Sequence, residues 1–452
     1  MKQFFKSFNS DCAKEVWAIS IPAILESLFL IGANIIDSKM LANLGLGTIS
    51  AISVTYQPRI FVFCVFFGMN IAVSAMIARA KGENNQRKAN ELMVTGFWCV
   101  VVLAIVLSIL CVVFAYPIME VCSGQKDTID ISVKYYQVTM GLMIFNLIFI
   151  YFNSALRGCG YTKITLTTNI VSAIVHIIFN YLLIGPMGTV GAALASVAGT
   201  IAALIVSAIK LNDKKMFVNL GYVFSEHVKP TKEAFKELFG LWKNVALENM
   251  ISRVGFLLVS IMSARLGTFD HSIYSVSSTL LNINFAFGDG LKASSVALVG
   301  RATGERSIEK VKEYMQVIIR FGIVCALVLA VIFATLNRPY FSLYSNDLTF
   351  IEKGAVVAII IAIICPIQIP QIILNGSLKC MDCSRQTLYV AIICVSILNP
   401  LCDYLLVYVF KFGLYGVMFG ALITQLSELI LLYRLYRKHL PILEKKFGGT
   451  ND

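Results

Sequence analysis

The chain has 452 residues, 58% of them hydrophobic and only 14% charged, with a mean hydropathy of +0.77. That balance excludes a soluble globular protein of this length, whose surface would need about 25% charged residues. Lipid is the solvent that suits it, because a helix satisfies its own backbone groups without water, and the net charge of +12 takes its meaning from where the lysines and arginines fall.

At the start, Met1–Val16 carries Lys2, Lys6 and Lys14, and the apolar run behind it has no small-residue cleavage site. It reads as a cytoplasmic leader into a first span, not a cleaved signal. Stretches of about 20 or more largely apolar residues, the length that crosses a bilayer, follow at 16–40, 51–79, 94–116, 133–156, 163–185 and 188–210. The segment 211–235, with Lys214, Lys215, Glu226, Lys229, Pro230, Lys232 and Glu233, is the one substantial hydrophilic break in mid-chain. Apolar runs resume at 236–266, 272–300, 314–336, 352–378, 386–409 and 413–433. The sequence thus predicts an all-α membrane protein of twelve spans, with a six-helix N-terminal lobe at 1–210 and a cytoplasmic linker at 211–235. A six-helix C-terminal lobe at 236–440 and a cytoplasmic tail at 441–452 complete it.

Charge sets the orientation. With the N-terminus inside, the inner segments hold Arg79, Lys81, Arg87 and Lys88, then Arg157 and Lys163, then the linker lysines, then Arg301, Arg306, Lys310 and Lys312. Lys379, Arg385, Arg434, Arg437, Lys438, Lys445 and Lys446 continue the series, whereas the outer loops hold little beyond Lys126, Arg265, Arg338, Lys353 and Lys411. This is the positive-inside pattern. The basic charge is a topology signal and not a nucleic-acid surface, and both termini are expected in the cytoplasm. Most of the cysteines, such as Cys64, Cys111 and Cys365, sit in apolar runs and read as reduced packing residues. Cys380 and Cys383 form a lone CxxC, which without a second pair is a weak metal or redox signal.

An internal repeat runs through the chain at a spacing of 222 residues, pairing Leu25-Glu26 with Leu247-Glu248 and Ser53-Val54 with Ser275-Val276. The same spacing pairs Arg79-Ala80-x-Gly82-Glu83 with Arg301-Ala302-x-Gly304-Glu305, and Asn153 with Asn375. After small insertions, Asn180-Tyr-Leu-Leu pairs with Asp403-Tyr-Leu-Leu, and Gly188-x-x-Gly191 with Gly413-x-x-Gly416. Each copy has an even number of spans, so the two have the same orientation and form a parallel repeat, an arrangement of transporters.

Several strings resemble the multidrug and toxic compound extrusion (MATE) family: Ile21-Pro22 through Asp37 to Gly45, Ala78–Glu83, and Leu156-Arg157-Gly158-Cys159-Gly160-Tyr161-Thr162. Asn180–Gly185 and Gly188–Leu194 resemble the family's junction of spans five and six. The resemblance implies a two-lobe transporter of the bacterial inner membrane that exports amphipathic, often cationic compounds in exchange for H⁺ or Na⁺. It also implies that Asp37 is the coupling acid, joined by Asn180 and Thr200 in an N-terminal ion site where Na⁺ would bind Asp37 and Asn180. His176 stands where the family commonly has Asn, and Asn180 where it often has Asp.

Ionisable groups inside a span are functional candidates because they are costly there. Glu26, Glu248, Asp289, Lys292 and Arg59 are therefore read as lining a substrate cavity, against bland alternatives, and Gln368 is read with them because the resemblance places it where some branches of the family carry an acid on span ten. The alternatives are a packing hydrogen bond for Glu26 and Glu248, an i, i+3 pair for Asp289 and Lys292, and a structural partnership with Arg59 or Lys39 for Asp37. Pro22, Pro58, Pro366 and Pro370 are candidate hinges or passive kinks. No GxxxxGK[ST] loop and no HExxH motif is present, and there are four histidines, so the chain does not read as an enzyme. No cofactor is expected beyond H⁺ or Na⁺ as coupling ion. The expected partners are amphipathic cations and the lipid bilayer, with no nucleic acid, and the expected state is a monomer. The alternative function is a flippase of lipid-linked precursors, which shares the double six-helix plan.

Overall fold

The computed structural model describes residues 11–42, 51–122 and 129–448, and in the first helix the side chains at 34, 35, 38, 39, 41 and 42 are not described. Lys2, Lys6, Gly45, Lys126, the Lys39 side chain and the last four residues, all used above, lie outside the described residues. Among those described there is helix and no strand. Among the described residues nine helices are long and apolar enough to cross a bilayer, and the pair Ile129–Gly141 and Met143–Gly158, bent by 47°, makes a tenth crossing. The 50-residue helix Thr162–Leu211 counts once there but breaks at Gly188, whose φ of 56° is left-handed, so it supplies spans five and six. Thr268–Gly304, a 37-residue helix, carries Asn282, Asn284, Asp289 and Lys292 and completes the set as span eight. The twelve-helix, two-repeat plan expected from the sequence is the observed one.

The repeat extends to backbone detail. Asn84 (φ 52°) and Arg306 (φ 54°), 222 residues apart, turn the chain out of spans two and eight through the same left-handed conformation. In the following turns Asn85 accepts from the Lys88 amide at 2.9 Å and Ser307 from the Lys310 amide at 3.4 Å, so both third-span helices have an N-cap side chain. Lys88 pairs with Glu83 at 3.2 Å and Lys310 with Glu305 at 2.6 Å across the same turn. Proline behaves differently from one site to the next. Pro22, Pro366 and Pro370 lie inside helices, whereas Pro58 lies in the first turn of Tyr56–Gly82, just after the span Ala51–Gly82 is interrupted at Thr55.

The chain divides into two compact units, Leu25–Ala246 on one side and Met1–Ile24 with Leu247–Asp452 on the other. The division falls inside the first and seventh helices and not in the 211–235 segment. Its two breaks, Ile24/Leu25 and Ala246/Leu247, are themselves 222 residues apart. Close packing explains the assignment. In one unit a Cβ added to Gly290 would lie 2.8 Å from the Ile24 backbone; in the other a Cβ added to Gly68 would lie 2.7 Å from the Ala246 backbone. Glycine at these two repeat-related positions lets helix backbones touch, as small residues do in membrane bundles. Trp17 stacks on Phe321 within its unit, and Trp242 donates to the Val65 carbonyl at 2.8 Å within the other.

Candidate functional site

In the N-terminal unit the first and fifth spans bring three polar side chains together. Asn180, fully buried, donates to Asp37 Oδ1 at 2.7 Å. His176, one turn earlier on the same helix, places Nε2 3.4 Å from that oxygen and 3.2 Å from the Asn180 amide nitrogen. Asp37 keeps 28% of its side chain exposed, and the Asn180 carbonyl oxygen is buried without a partner among the described residues. The Asp37–Asn180 association expected from the sequence is present. Thr200 instead donates to the Ser196 carbonyl at 2.9 Å, and with Arg59, Asn146 and Ser196 it lines a cavity of about 90 Å³. Arg59 is not the partner of Asp37: its guanidinium reaches the Tyr135 hydroxyl at 3.3 Å and stacks over that ring at 5.7 Å.

Glu26 and Glu248 do not stand open to a cavity. Each is buried inside its own unit, at 4% and 6% exposure, in a matched hydrogen-bonded cluster. Glu26 accepts from Arg157 at 2.7 Å, Thr165 at 2.7 Å and Asn169 at 2.9 Å. Glu248 accepts from Lys379 at 2.9 Å, Thr387 at 3.1 Å and Asn375 at 2.9 Å. The cation follows its glutamate by 131 residues in both units and the threonine by 139. Both clusters tie the first helix of a repeat, at the second residue past the division between units, to the adjoining ends of that repeat's fourth and fifth spans. Glu428, buried on the last span, lies beside Glu248, Lys379 and Gln371 in the C-terminal cluster. From sequence the two glutamates stand out, but their cations were counted only as inside charges. The spacing of 222 also pairs Arg157 with Lys379 and Thr165 with Thr387, and that same-sign match is the signal for them.

The remaining candidates split. Lys292 is hydrogen-bonded to Asp289, the i, i+3 pair, with 26% and 53% of the two side chains exposed. Gln368 is buried at 1% and accepts from Asn284 within the bundle. Cys380 and Cys383 are buried thiols, Cys380 donating to the Val296 carbonyl at 3.6 Å, and no group of three or more metal-binding side chains occurs among the described residues.

Against known sequences, the profile of the MatE family matches twice, over residues 22–182 and again over 245–405. The chain belongs to the MATE family. The two matches reproduce the repeat, one in each half, and make the protein a multi-pass membrane transporter. Among curated MATE-related proteins it is 22% identical over 444 residues to a probable multidrug resistance protein NorM of Mannheimia succiniciproducens, covering 94% of each chain. It is 22% identical to the multidrug export protein MepA of Staphylococcus saprophyticus, covering 96% of each. A FAD transporter of Shewanella oneidensis is 21% identical over 78% of each chain. Among solved structures, a MOP superfamily transporter from Pyrococcus furiosus superposes with a TM-score of 0.90 at 16% identity, covering 97% of this chain and 98% of that one, which establishes the shared fold.

Proposed function

We propose that this MATE protein is a secondary active multidrug efflux antiporter that exports amphipathic cations in exchange for inward H⁺, with Na⁺ as the alternative coupling ion. The observation that carries the coupling is the Asp37–Asn180–His176 contact, an acid of the first span held by an asparagine amide and a histidine ring of the fifth. A charge-assisted hydrogen bond is roughly twice as strong as a neutral one, so a proton arriving on Asp37 weakens the tie between these two helices. It also removes a negative charge. Two unit charges about 4 Å apart attract by roughly 4 kcal/mol at an effective dielectric of 20, and that is the scale of affinity a bound cation loses. One carboxylate and one amide oxygen form a sparse donor set for a hard cation, which takes six or more oxygens in most sites, and this favours the proton.

The names of the curated relatives support drug export. Cation preference now rests on Asp37, since Glu26 and Glu248 are neutralised within their clusters. The test is efflux of a lipophilic cation from proteoliposomes under an imposed pH gradient, then under a Na⁺ gradient. Asp37→Asn should insert and bind substrate yet lose gradient-driven transport; pumping like wild type under both gradients overturns the assignment. Tighter binding of organic anions, flavin nucleotides or polyprenyl-linked sugars than of cations would favour the flippase or nucleotide-transport alternatives instead.

A further inference from the structure

The Asp37–Asn180 site has a counterpart in the C-terminal unit in which the acid has changed helix. At the repeat spacing Asp37 of span one corresponds to Val259 of span seven, and after a one-residue insertion Asn180 of span five corresponds to Asp403 of span eleven. Val259 packs with Val407 and Val417 in an apolar cluster. Asp403 is 0% exposed, and neither of its carboxylate oxygens has a hydrogen-bond partner among the described residues.

Three further observations set this side chain apart. Gly420 of span twelve faces it so closely that an added Cβ would lie 1.8 Å from Asp403 Oδ1. The residue at the corresponding sequence position of the N-terminal half is Ala195, and the acid's counterpart there is Asn180, so the missing Cβ accompanies the carboxyl group. The backbone is also unusual: Asn399–Tyr404 is a short α-helical stretch between two π-helical ones, Ile392–Leu398 and Leu405–Val409, and such widened turns gather at functional positions. One turn before Asp403, Asn399 accepts from Thr424 of span twelve at 3.3 Å. The titratable neighbours are Tyr274 of span eight and the adjacent Cys402, while span seven presents Val259 and span twelve Gly420; no charged partner stands beside it among the described residues.

A carboxylate in that position is an uncompensated buried charge, and membrane interiors hold such groups only where they are paired, wetted or neutral. We propose that Asp403 is a second proton site, built into the C-terminal unit and filled and emptied in each transport cycle alongside Asp37. The proposal rests on the proton-coupled reading above, and it makes the exchange one proton richer per cycle than Asp37 alone would.

A hydrophobic carbodiimide, which modifies protonated carboxyl groups in apolar surroundings, tests it on the intact wild-type protein in lipid nanodiscs without any substrate. Peptide mapping should find Asp403 modified at acid pH, with the modification lost as pH rises; absence of modification at every pH, or modification that pH does not change, overturns the proposal. Infrared difference spectra over the same titration give an independent reading. Asp403→Asn should lose one protonated-carboxyl band and Asp37→Asn a different one, whereas an Asp403→Asn spectrum superimposable on wild type overturns the proposal. Neither measurement needs transport. Failure of gradient-driven efflux with the Asp403 signals intact would therefore sink the antiport reading and leave the proton site standing.

Discussion

Replacing Lys379 by methionine should cost the protein roughly 3–5 kcal/mol, the price of leaving one partner of a buried ion pair uncompensated. The setting justifies the upper part of that range. Lys379 and Glu248 have 3% and 8% of their side chains exposed, so water does little to screen the abandoned carboxylate. The two remaining donors, Asn375 at 2.9 Å and Thr387 at 3.1 Å, are neutral, and Glu428 adds a second acid to the cluster. The corresponding change at Arg157 should cost less, because that side chain is 29% exposed while Glu26 keeps Thr165 and Asn169. Unfolding in mixed micelles of rising SDS fraction would compare the two variants with wild type. The double variant Glu248→Leu/Lys379→Met removes both charges and should recover most of the loss. If Lys379→Met unfolds within about 1 kcal/mol of wild type, or the double variant is no better than the single, the pair does not support the bundle as argued.

Gly68→Ala and Gly290→Ala should each destabilise by about 1–3 kcal/mol through overpacking against backbone, as seen in the same unfolding assay, while Gly240→Ala, with nothing within 4 Å of its added Cβ, should be close to neutral; equal effects at all three would refute the close approach. Cysteines placed at Lys214 and Leu440, in a background cleared of reactive cysteines, should resist an impermeant reagent applied to intact cells, because the positive-inside pattern puts both in the cytoplasm; ready labelling would reverse the orientation. The Arg59→Ala variant should keep the pH-gradient response that Asp37→Asn loses, since Arg59 contacts Tyr135 and not Asp37; loss of coupling in both would tie Arg59 to the ion site.

The architecture was legible because lipid imposes it: apolar run length and loop charge locate spans whatever their packing, and a constant spacing of identities declares the duplication. The site was legible only in part. Asp37 and Asn180 are paired by the family's pattern, and the spacing of four puts His176 on the same helix face as Asn180, but that Asp37 turns to this face and not to Thr200 or Arg59 depends on how the helices pack, which no local pattern encodes. Glu26 and Glu248 show the opposite failure. Taken as isolated charges they suggest a cavity wall, because their cations lie 131 residues away, in last helical turns whose charge the topology already explains. Span eight reads as an apolar run like the others, yet its helix Thr268–Gly304 is not among those apolar enough to cross by hydropathy, and its Asp289 and Lys292 pair with each other. Asp403 was visible as half of a repeat motif, but its lack of partners is a property of three dimensions.

The helices that open each half are lent across: residues 11–24 pack with the C-terminal unit and 232–246 with the N-terminal one. Cutting the chain in the hydrophilic segment at 211–235 would therefore give two fragments that each carry the other's missing half-helix. Neither should be complete alone, yet the pair, made together in one cell, should complement each other. The same bookkeeping suggests how a single six-helix ancestor could have worked, as two identical copies trading their first half-helices before fusion joined them into one chain and left each copy free to place its acid on a different helix.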